Sequence, residues 1–509
     1  MRTEPIEPAA IEFDAEGLPR APRYGDLYHP RIGALAQARH VFLRGNGLPE
    51  RWRGRADFVV FETGFGLGNN FIAAWEAWRA DPERCTRLHY VAIERHPPTR
   101  ADLERVHAAS PRPELARALI AAWPAATPNL HAIEFDAGRL RLLLAFGDIA
   151  ALAPGLRLQA DAYFLDGFAP ARNPAMWQPR VLAALGRKAA PGATLATWSV
   201  ARELRDGLVT AGFEVAQAPG IGGKREITVA RWAPRHAAPQ PPSAAVDAGE
   251  AIVVGAGVGG AAAALALARL GVEVTVVERH ADAALESSGN PAGLFHGTVI
   301  ADDGPHARLH RAAALQAQRD YGAAMAGGGV AGSVDGLLRL DRRGLAAMVA
   351  LLQRQGLPEA YVRALDREQA SRLAGVALPD AAWHYPGGGW IAPATWVRRA
   401  LAAPGIRWCG GRSVEALARD GSRWVLRDAA GAVIASAPLL VLAQGAAAAR
   451  LLAPWGAAAW PLEHSRGQVS YGPGPGPGGG ADTDTGVSTG TGTGTSALRL
   501  PVAGDGYAI

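Results

Sequence analysis

Residues 58–68 read Phe-Val-Val-Phe-Glu-Thr-Gly-Phe-Gly-Leu-Gly, an apolar run that passes directly into a glycine-rich loop. Residues 251–260 repeat this arrangement as Ala-Ile-Val-Val-Gly-Ala-Gly-Val-Gly-Gly. Each stretch predicts a strand that breaks into a glycine turn and continues as a helix, which places backbone N–H groups against a ligand. The two loops differ in glycine spacing, and only the first begins with an acid. We therefore predict two different nucleotide-type sites on one chain.

The length and composition indicate a globular protein with more than one domain. A chain of 509 residues exceeds what one hydrophobic core usually supports, and 49% of the residues are hydrophobic against 19% charged. The two cysteines cannot form a disulfide framework, and the first residues lack the apolar segment of a signal peptide, so we expect a cytoplasmic protein. No apolar run predicts a membrane span, and we expect a monomer without a metal.

Short β-rich runs alternate with helical stretches between residues 57 and 232, whereas residues 1–55 predict an irregular leader. This alternation predicts an α/β fold with a doubly wound parallel sheet, and the final two runs predict a hairpin at its edge. The predicted strands are Phe58–Phe61, Leu88–Glu94, Ala162–Leu165, Ala193–Trp198, Phe213–Ala216 and Ile227–Trp232.

A second domain is predicted after a stretch dominated by Pro and Ala. We assign residues 1–235 to the first domain, 236–250 to a linker and 251–509 to the second domain. Strands are expected at Val272–Glu278 and Leu439–Ala443, with an inserted region between them. The low-complexity tract Gly472–Thr495 predicts disorder, because it has little apolar surface to bury.

The first loop leads a series of acids whose order suits S-adenosylmethionine. Glu62 suits the amino-acid group of such a ligand, and Glu94, at the end of the next strand, suits its ribose hydroxyls. Asp148 suits the adenine amino group, although it could simply be a helix cap. The residues assigned to this cofactor are Glu62, Gly64, Gly66, Gly68, Glu94 and Asp148.

Asp166 and Phe168 are the candidate catalytic residues of the first site. Asp166 ends a predicted strand, where its carboxylate could orient an amine in line with the sulfonium and take its proton. Phe168 and Trp177 could stack on a flat base, but core packing explains these aromatic residues equally well. The predicted chemistry is therefore methyl transfer to an amine.

The second loop has the spacing of a dinucleotide-binding motif. Gly255, Gly257 and Gly260 permit close approach of a pyrophosphate, and Glu278 follows Gly260 by 18 residues at the end of the next predicted strand. An acid in this position binds ribose hydroxyls. A small-residue loop soon afterwards favours FAD over NAD, and its assigned residues are Ser288, Gly289 and Asn290.

These motifs resemble, in the same order, those of the bifunctional bacterial tRNA wobble-uridine enzymes called the MnmC family. In the first half the resemblance rests on residues 62–68, on Phe164–Pro174 and on Gly223–Glu226. In the second half it rests on three further segments, Ser288–Asn290, Tyr385–Trp390 and Gly467–Ser470. The resemblance extends from about Ile11 to the end of the chain, and the long Asp166 segment is its most specific part.

The resemblance implies a class I methyltransferase domain followed by a glycine-oxidase-like FAD domain. The FAD domain would remove the carboxymethyl group from 5-carboxymethylaminomethyluridine, and the other domain would methylate the aminomethyl group with S-adenosylmethionine. Lys224 and Arg225, on the predicted hairpin turn, and Arg172 are then candidates for binding tRNA phosphates.

Two departures from the family keep other functions open. The tract Gly472–Thr495 is unlike the family, and we expect the flavin domain to be incomplete at its C-terminal end. A methyltransferase with an inactive flavin domain is one alternative. An amine or amino-acid oxidase fused to a small-molecule methyltransferase is another. His306 and His310, four residues apart, could hold a metal, but surface or packing roles explain them better.

Overall fold

The computed structural model of the protein describes residues 4–128, 130–234, 249–456, 498–504 and 506–509. The chain divides into two compact units. The first comprises Met1–Ala238, Val299–Ala312 and Val349–Tyr361, and the second comprises Pro239–Thr298, Ala313–Met348 and Val362–Ile509. Most of the predicted linker, the segment Gly467–Ser470 and the tract Gly472–Thr495 lie outside the described residues.

The first 238 residues contain eleven described strands and seven α-helices. The strands are β1 Glu12–Phe13, β2 Pro19–Ala21, β3 Asp26–Leu27, β4 Asp57–Glu62, β5 Arg87–Glu94, β6 Leu130–Phe135, β7 Leu140–Phe146, β8 Ala160–Phe164, β9 Ala189–Thr197, β10 Phe213–Pro219 and β11 Glu226–Trp232. The helices are α1 Ala34–Gln37, α2 Asn69–Ala80, α3 Arg100–Val106, α4 Pro113–Ala121, α5 Ile149–Leu152, α6 Pro179–Gly186 and α7 Arg202–Thr210.

Eight of these strands form one sheet in the order β10-β11-β9-β8-β4-β5-β7-β6. The five central strands are parallel, whereas β6 and the β10–β11 hairpin are antiparallel edges. Central strands such as Asp57–Glu62 are mostly buried, because helices cover both faces of the sheet. The carboxyl ends of the parallel strands therefore meet along one edge, where α/β proteins bind ligands.

The leader is more ordered than its sequence predicts, so the expectation of an irregular segment was wrong. Its strands β1–β3 form a small antiparallel sheet, and a π-helix spans Ala38–Leu43. Val41 and Phe42 in this helix are 1% and 0% exposed and belong to the core on one face of the large sheet. Strands of two or three residues are too short to show a period of two, which is why the pattern was missed.

The remaining described elements begin with β12 at Glu250. The strands are β12 Glu250–Val254, β13 Glu273–Val277, β14 Gly293–Phe295, β15 Gly332–Ser333, β16 Leu337–Asp341, β17 Arg363–Leu365, β18 Ala381–Tyr385, β19 Gly389–Ile391, β20 Ile406–Cys409, β21 Ala416–Asp420, β22 Arg423–Arg427, β23 Val433–Ala437, β24 Leu439–Leu442, β25 Val502–Ala503 and β26 Tyr507–Ala508. The α-helices are α8 Val258–Arg269, α9 Pro305–Ala326, α10 Leu345–Gln355, α11 Arg367–Ala374, α12 Pro393–Leu401 and α13 Ala447–Leu452.

The glycine loop of the second unit follows β12, which belongs to a four-stranded parallel sheet with the order β20-β13-β12-β24. Strand β24 lies beside β12, although the two strands are far apart in the sequence. Helix α8 follows β12 and begins at Val258, and 184 positions separate Val258 from Leu442 at the end of β24. The residues between β13 and β24 contribute strands to three further sheets, one of which also contains β25 and β26. They also include β20, a strand that the sequence analysis missed. Among the described residues, none of the helices is long and apolar enough to cross a membrane.

Candidate active sites

A cavity of about 380 Å³ lies at the carboxyl ends of the central strands of the first unit. Its lining comes from the loops after β4, β5, β7, β8 and β9, from the turn between β10 and β11, and from residues of the leader. The structure thus brings Gly64, Gly66, Glu94, Asp148 and Asp166 to one cavity, although 102 positions separate the first from the last. This is the position in which an α/β sheet binds a nucleotide.

Asp166 is the most constrained acid in this cavity. Its Oδ1 accepts hydrogen bonds from the Gly167 amide at 2.8 Å and from Trp198 Nε1 at 3.1 Å. Its Oδ2 accepts from Asn70 Nδ2 at 2.7 Å. Burial raises the pKa of Asp166 to about 6, while these donors oppose the rise. The carboxylate is therefore fixed in orientation and mostly ionised at neutral pH.

Glu62 lies behind Asp166 and is absent from the cavity lining. Asn70 Nδ2 donates to Glu62 Oε1 at 2.6 Å, and the Tyr90 hydroxyl donates to Oε2 at 2.9 Å. Burial, reinforced by the charge of Asp166, raises the pKa of Glu62 well above its usual value. Direct binding of a ligand by Glu62 stays a prediction. In the structure, Glu62 is hydrogen-bonded to Asn70, the same side chain that holds Asp166.

The glycines of the first loop allow backbone to approach backbone. A Cβ atom on Gly64 would lie 3.0 Å from the Asp166 carbonyl oxygen, so a larger residue would push the loop away from the carboxylate. Gly66 has φ 54° and Gly68 has φ 78°, in the left-handed region that favours glycine. Gly66 lines the cavity, whereas Gly68 packs against Leu119 and does not.

Glu94 and Asp148 line one wall of the cavity. Glu94 accepts hydrogen bonds from the amides of Gly66 at 2.7 Å and His96 at 2.8 Å, and burial raises its pKa to about 6. Asp148 caps α5 through the Ala150 amide at 2.8 Å and pairs with Arg95 at 3.0 Å. Asp148 is therefore a helix cap, which was the structural alternative to a binding role, and it also lines the cavity.

Aromatic rings form another part of the cavity wall, and two of them were missed by the sequence analysis. The ring of Phe168 stacks on Tyr24 with centroids 4.5 Å apart and meets the edge of Tyr28 at 5.2 Å. Both tyrosines come from the leader, where no periodic pattern marks them. Trp177, by contrast, is 7% exposed and donates to the Phe168 carbonyl at 2.9 Å, so it supports the wall from behind.

The three predicted RNA-binding residues differ in their position relative to the cavity. Lys224 lines the cavity mouth, with its Nζ 3.6 Å from the centroid of the Trp198 ring. Arg225 and Arg172 are exposed and lie outside the cavity lining. All three are accessible to a polyanion, but only Lys224 is placed to affect chemistry inside the cavity.

The second loop has the close contacts that a dinucleotide motif requires. Gly255 has φ 99°, and a Cβ there would lie 2.9 Å from the Ala443 carbonyl. A Cβ on Gly260 would overlap the Gly255 carbonyl oxygen, so the helix can approach the strand only with glycine at this position. Glu278 Oε2 accepts from the Ala256 amide at 2.8 Å, which fixes the acid beside the loop.

Ser288 completes the second loop. Its hydroxyl accepts from the Val258 amide at 3.0 Å, at the N-terminus of α8, and a Cβ on Gly257 would come within 2.8 Å of the same oxygen. A helix N-terminus bounded by a glycine and a hydroxyl fits a pyrophosphate group. Gly289 and Asn290 follow on the same turn and are exposed.

The histidines considered as metal ligands pack against each other. The rings of His306 and His310 lie 4.3 Å apart on α9. In the described part of the chain, no group of three or more His, Cys, Asp or Glu residues is arranged to hold a metal ion.

Comparison with known families assigns a class to each of the two sites. Residues 111–233 match the family described as an S-adenosyl-L-methionine-dependent methyltransferase. Residues 250–492 match the family described as an FAD dependent oxidoreductase. The fold class and the two cofactors predicted from the sequence are thereby confirmed. The chain is an enzyme with a methyltransferase domain followed by a flavin domain.

The relatives narrow this class to one family. The chain is 54% identical over its whole length to the tRNA 5-methylaminomethyl-2-thiouridine biosynthesis bifunctional protein MnmC of Methylibium petroleiphilum, of which it covers 77%. It is 42% identical to the protein of the same name from Paraburkholderia phytofirmans, of which it covers 76%. The chain belongs to this MnmC family.

Solved structures also match part of the chain. MNMC2 from Aquifex aeolicus is 24% identical over 45% of this chain and 73% of that chain, with a TM-score of 0.36. Glycine oxidase from Geobacillus kaustophilus is 24% identical over 40% of this chain and 58% of that chain, with a TM-score of 0.34.

Proposed function

We propose that this protein modifies the wobble uridine of tRNA in two consecutive reactions. The flavin domain removes the carboxymethyl group from 5-carboxymethylaminomethyl-(2-thio)uridine, and the methyltransferase domain converts the resulting aminomethyl group to methylaminomethyl. Membership of the MnmC family supports this substrate, because the curated relatives are named for that product. The cytoplasm, where tRNA is modified, is the proposed location.

The observation that most directly supports amine methylation is the fixed carboxylate of Asp166 at the strand ends. When bound, S-adenosylmethionine supplies a methyl group whose C–S bond breaks as the C–N bond forms, with the electron pair remaining on sulfur. Asp166 accepts an N–H of the amine, orients its lone pair and receives the proton released from nitrogen. Phe168 and Tyr24 form an apolar wall that excludes water from this reaction.

The residues of the cavity fit S-adenosylmethionine. Glu94 offers carboxylate oxygens to ribose hydroxyls, and Asp148 offers one to the adenine amino group. Gly64 and Gly66 leave room for the ligand beside the loop backbone. These three roles are proposals, and they account for the order of the acids along the sheet edge.

The second loop fits the pyrophosphate and one ribose of FAD. Gly257 and Ser288 bound the helix N-terminus that would face the phosphates, and Glu278 is placed for ribose hydroxyls. When bound, FAD would supply a hydride acceptor for the carboxymethyl carbon that is attached to the substrate nitrogen. The resulting imine takes up water and releases the carboxymethyl carbons as an aldehyde acid, which leaves a primary amine for the first domain.

The test uses tRNA that bears the carboxymethylaminomethyl group, incubated with the protein and S-adenosylmethionine and then digested to nucleosides for mass spectrometry. Conversion to the methylaminomethyl nucleoside would support both reactions. Methylation of aminomethyl tRNA without conversion of the carboxymethyl form would leave a methyltransferase with an inactive flavin domain. Failure on both substrates would contradict the proposal and favour small-molecule substrates.

A further inference from the structure

Lys224 occupies a fixed position at the mouth of the methyltransferase cavity. It lies on the turn between β10 and β11, which is closed by the Gly220 amide donating to the Arg225 carbonyl at 2.9 Å. Its ammonium lies 3.6 Å from the centroid of the Trp198 ring. A cation on the face of an indole is attracted by the negative face of the ring. The charge is thereby held at one place on the cavity rim.

The same indole binds Asp166 at its edge. Trp198 Nε1 donates to Asp166 Oδ1 at 3.1 Å, so one ring holds a cation on its face and a carboxylate at its edge. Burial against the ring lowers the pKa of Lys224, although Asp26 and Asp166 oppose this change. In return, the charge of Lys224 lowers the pKa of Asp166. Lys224 therefore acts electrostatically on the point where an amine would bind.

An amine bound only by a carboxylate is in the wrong protonation state for methyl transfer. Alkyl ammonium groups have a pKa of about 10 in water, and a neighbouring carboxylate stabilises the charged form further. The charged form has no lone pair and cannot attack a methyl group. A second cation near the bound amine has the opposite effect, because like charges favour loss of the proton.

We propose that Lys224 is a positioning residue of the methyl-transfer site, whose charge on the Trp198 face favours the neutral, nucleophilic form of the amine that Asp166 binds. This inference rests on the proposed function. The groups that face this charge from neighbouring elements are unchanged by substitution of Lys224, so they contribute equally in all variants. They are Asp26 and Asp166.

The test is the pH dependence of a single turnover. An anticodon stem–loop RNA with an aminomethyl-2-thiouridine at the wobble position is mixed with excess protein and saturating S-adenosylmethionine, from about pH 6 to about pH 9, where the rate reports groups in the bound complex. In Lys224→Gln we expect the midpoint to rise by about half to one pH unit, with the rate at neutral pH about three- to tenfold lower. Lys224→Arg keeps the charge and should keep the wild-type midpoint.

Arg225→Gln is the matched control. Arg225 is the next residue of the same turn and carries the same charge, but it does not line the cavity. Its loss should weaken RNA binding without moving the midpoint. Identical pH–rate profiles for wild type and Lys224→Gln would overturn the inference while leaving the proposed function intact. Equal shifts in both Gln variants would also overturn it, because they would indicate a general surface potential. A wild-type protein that methylates no aminomethyl RNA would overturn both.

Discussion

Glu62 and Asp166 are joined by a single amide group. Asn70 Nδ2 donates to Glu62 Oε1 at 2.6 Å and to Asp166 Oδ2 at 2.7 Å, so one side chain on α2 satisfies a carboxylate from β4 and another from the loop after β8. Both acids have a pKa raised by burial. The donor between them limits that rise and fixes the orientation of the acid that faces the cavity.

Removal of Asn70 should therefore change the pH dependence of methylation. In Asn70→Ala we expect the pKa of Asp166, about 6 in the wild type, to rise further, because the hydrogen bond that lowers it is lost. Methylation of aminomethyl RNA should then decline at a higher pH on its acid side. A pH–rate profile measures this shift, and an acid limb identical to that of wild type would contradict it.

Asp166→Asn tests the catalytic assignment. Asparagine keeps an oxygen for the Gly167 amide and the Trp198 indole but removes the charge, so we expect methylation to fall by about 100-fold or more. Binding of S-adenosylmethionine, measured by calorimetry, should be retained within a few fold. An unchanged methylation rate would exclude Asp166 from its proposed role.

Glu94 should make ligand affinity dependent on pH. An ionised carboxylate accepts hydroxyl hydrogens more strongly than a neutral acid, and burial places the pKa of Glu94 at about 6. The affinity for S-adenosylmethionine should therefore weaken as the pH falls below about 6. Glu94→Gln should bind about tenfold more weakly at pH 8 and show little pH dependence. The exposed Glu104→Gln on α3 is the control, and calorimetric titration at several pH values is the measurement.

The same pKa predicts an effect on stability. Burial raises the pKa of Glu94 in the folded state to about 6, above its usual value of 4.5, so the folded state binds more protons between these values. Glu94 therefore lowers stability progressively as the pH rises from about 4 through about 6. In the ligand-free protein, the melting temperature of Glu94→Gln relative to wild type should therefore be higher at pH 8 than at pH 4.5. A difference that does not change with pH would contradict this prediction.

Substitution of two nearby glycines in the second loop should have opposite effects on FAD binding. A Cβ on Gly257 would lie 2.8 Å from Ser288 Oγ, whereas a Cβ on Gly259 would meet nothing within 4 Å. Gly257→Val should therefore abolish FAD binding, measured by flavin absorbance after gel filtration, while methylation of aminomethyl RNA continues. Gly259→Ala should bind FAD normally, because alanine is also favourable inside α8. Loss of flavin in both variants would indicate general unfolding of the loop.

Local sequence was sufficient for the two nucleotide loops. An apolar strand, a glycine turn and a helix are adjacent in the chain, and the structure has β4 before the first loop and β12 before the second. Patterns that were visible but missed include β6, where His131, Ile133 and Phe135 are buried in alternation with exposed residues. A period of two over six residues was present there, and polar His131 obscured it.

The sequence by itself determined the kinds of chemistry on this chain, because glycine spacing and strand-end acids are local properties of the backbone. Only the tertiary structure decided which side chains meet. It placed Tyr24 and Tyr28 of the leader against Phe168, moved Glu62 behind the cavity and set Lys224 on the face of Trp198. These contacts join residues that are far apart in the sequence and depend on the order of strands in the sheet, which no local pattern encodes.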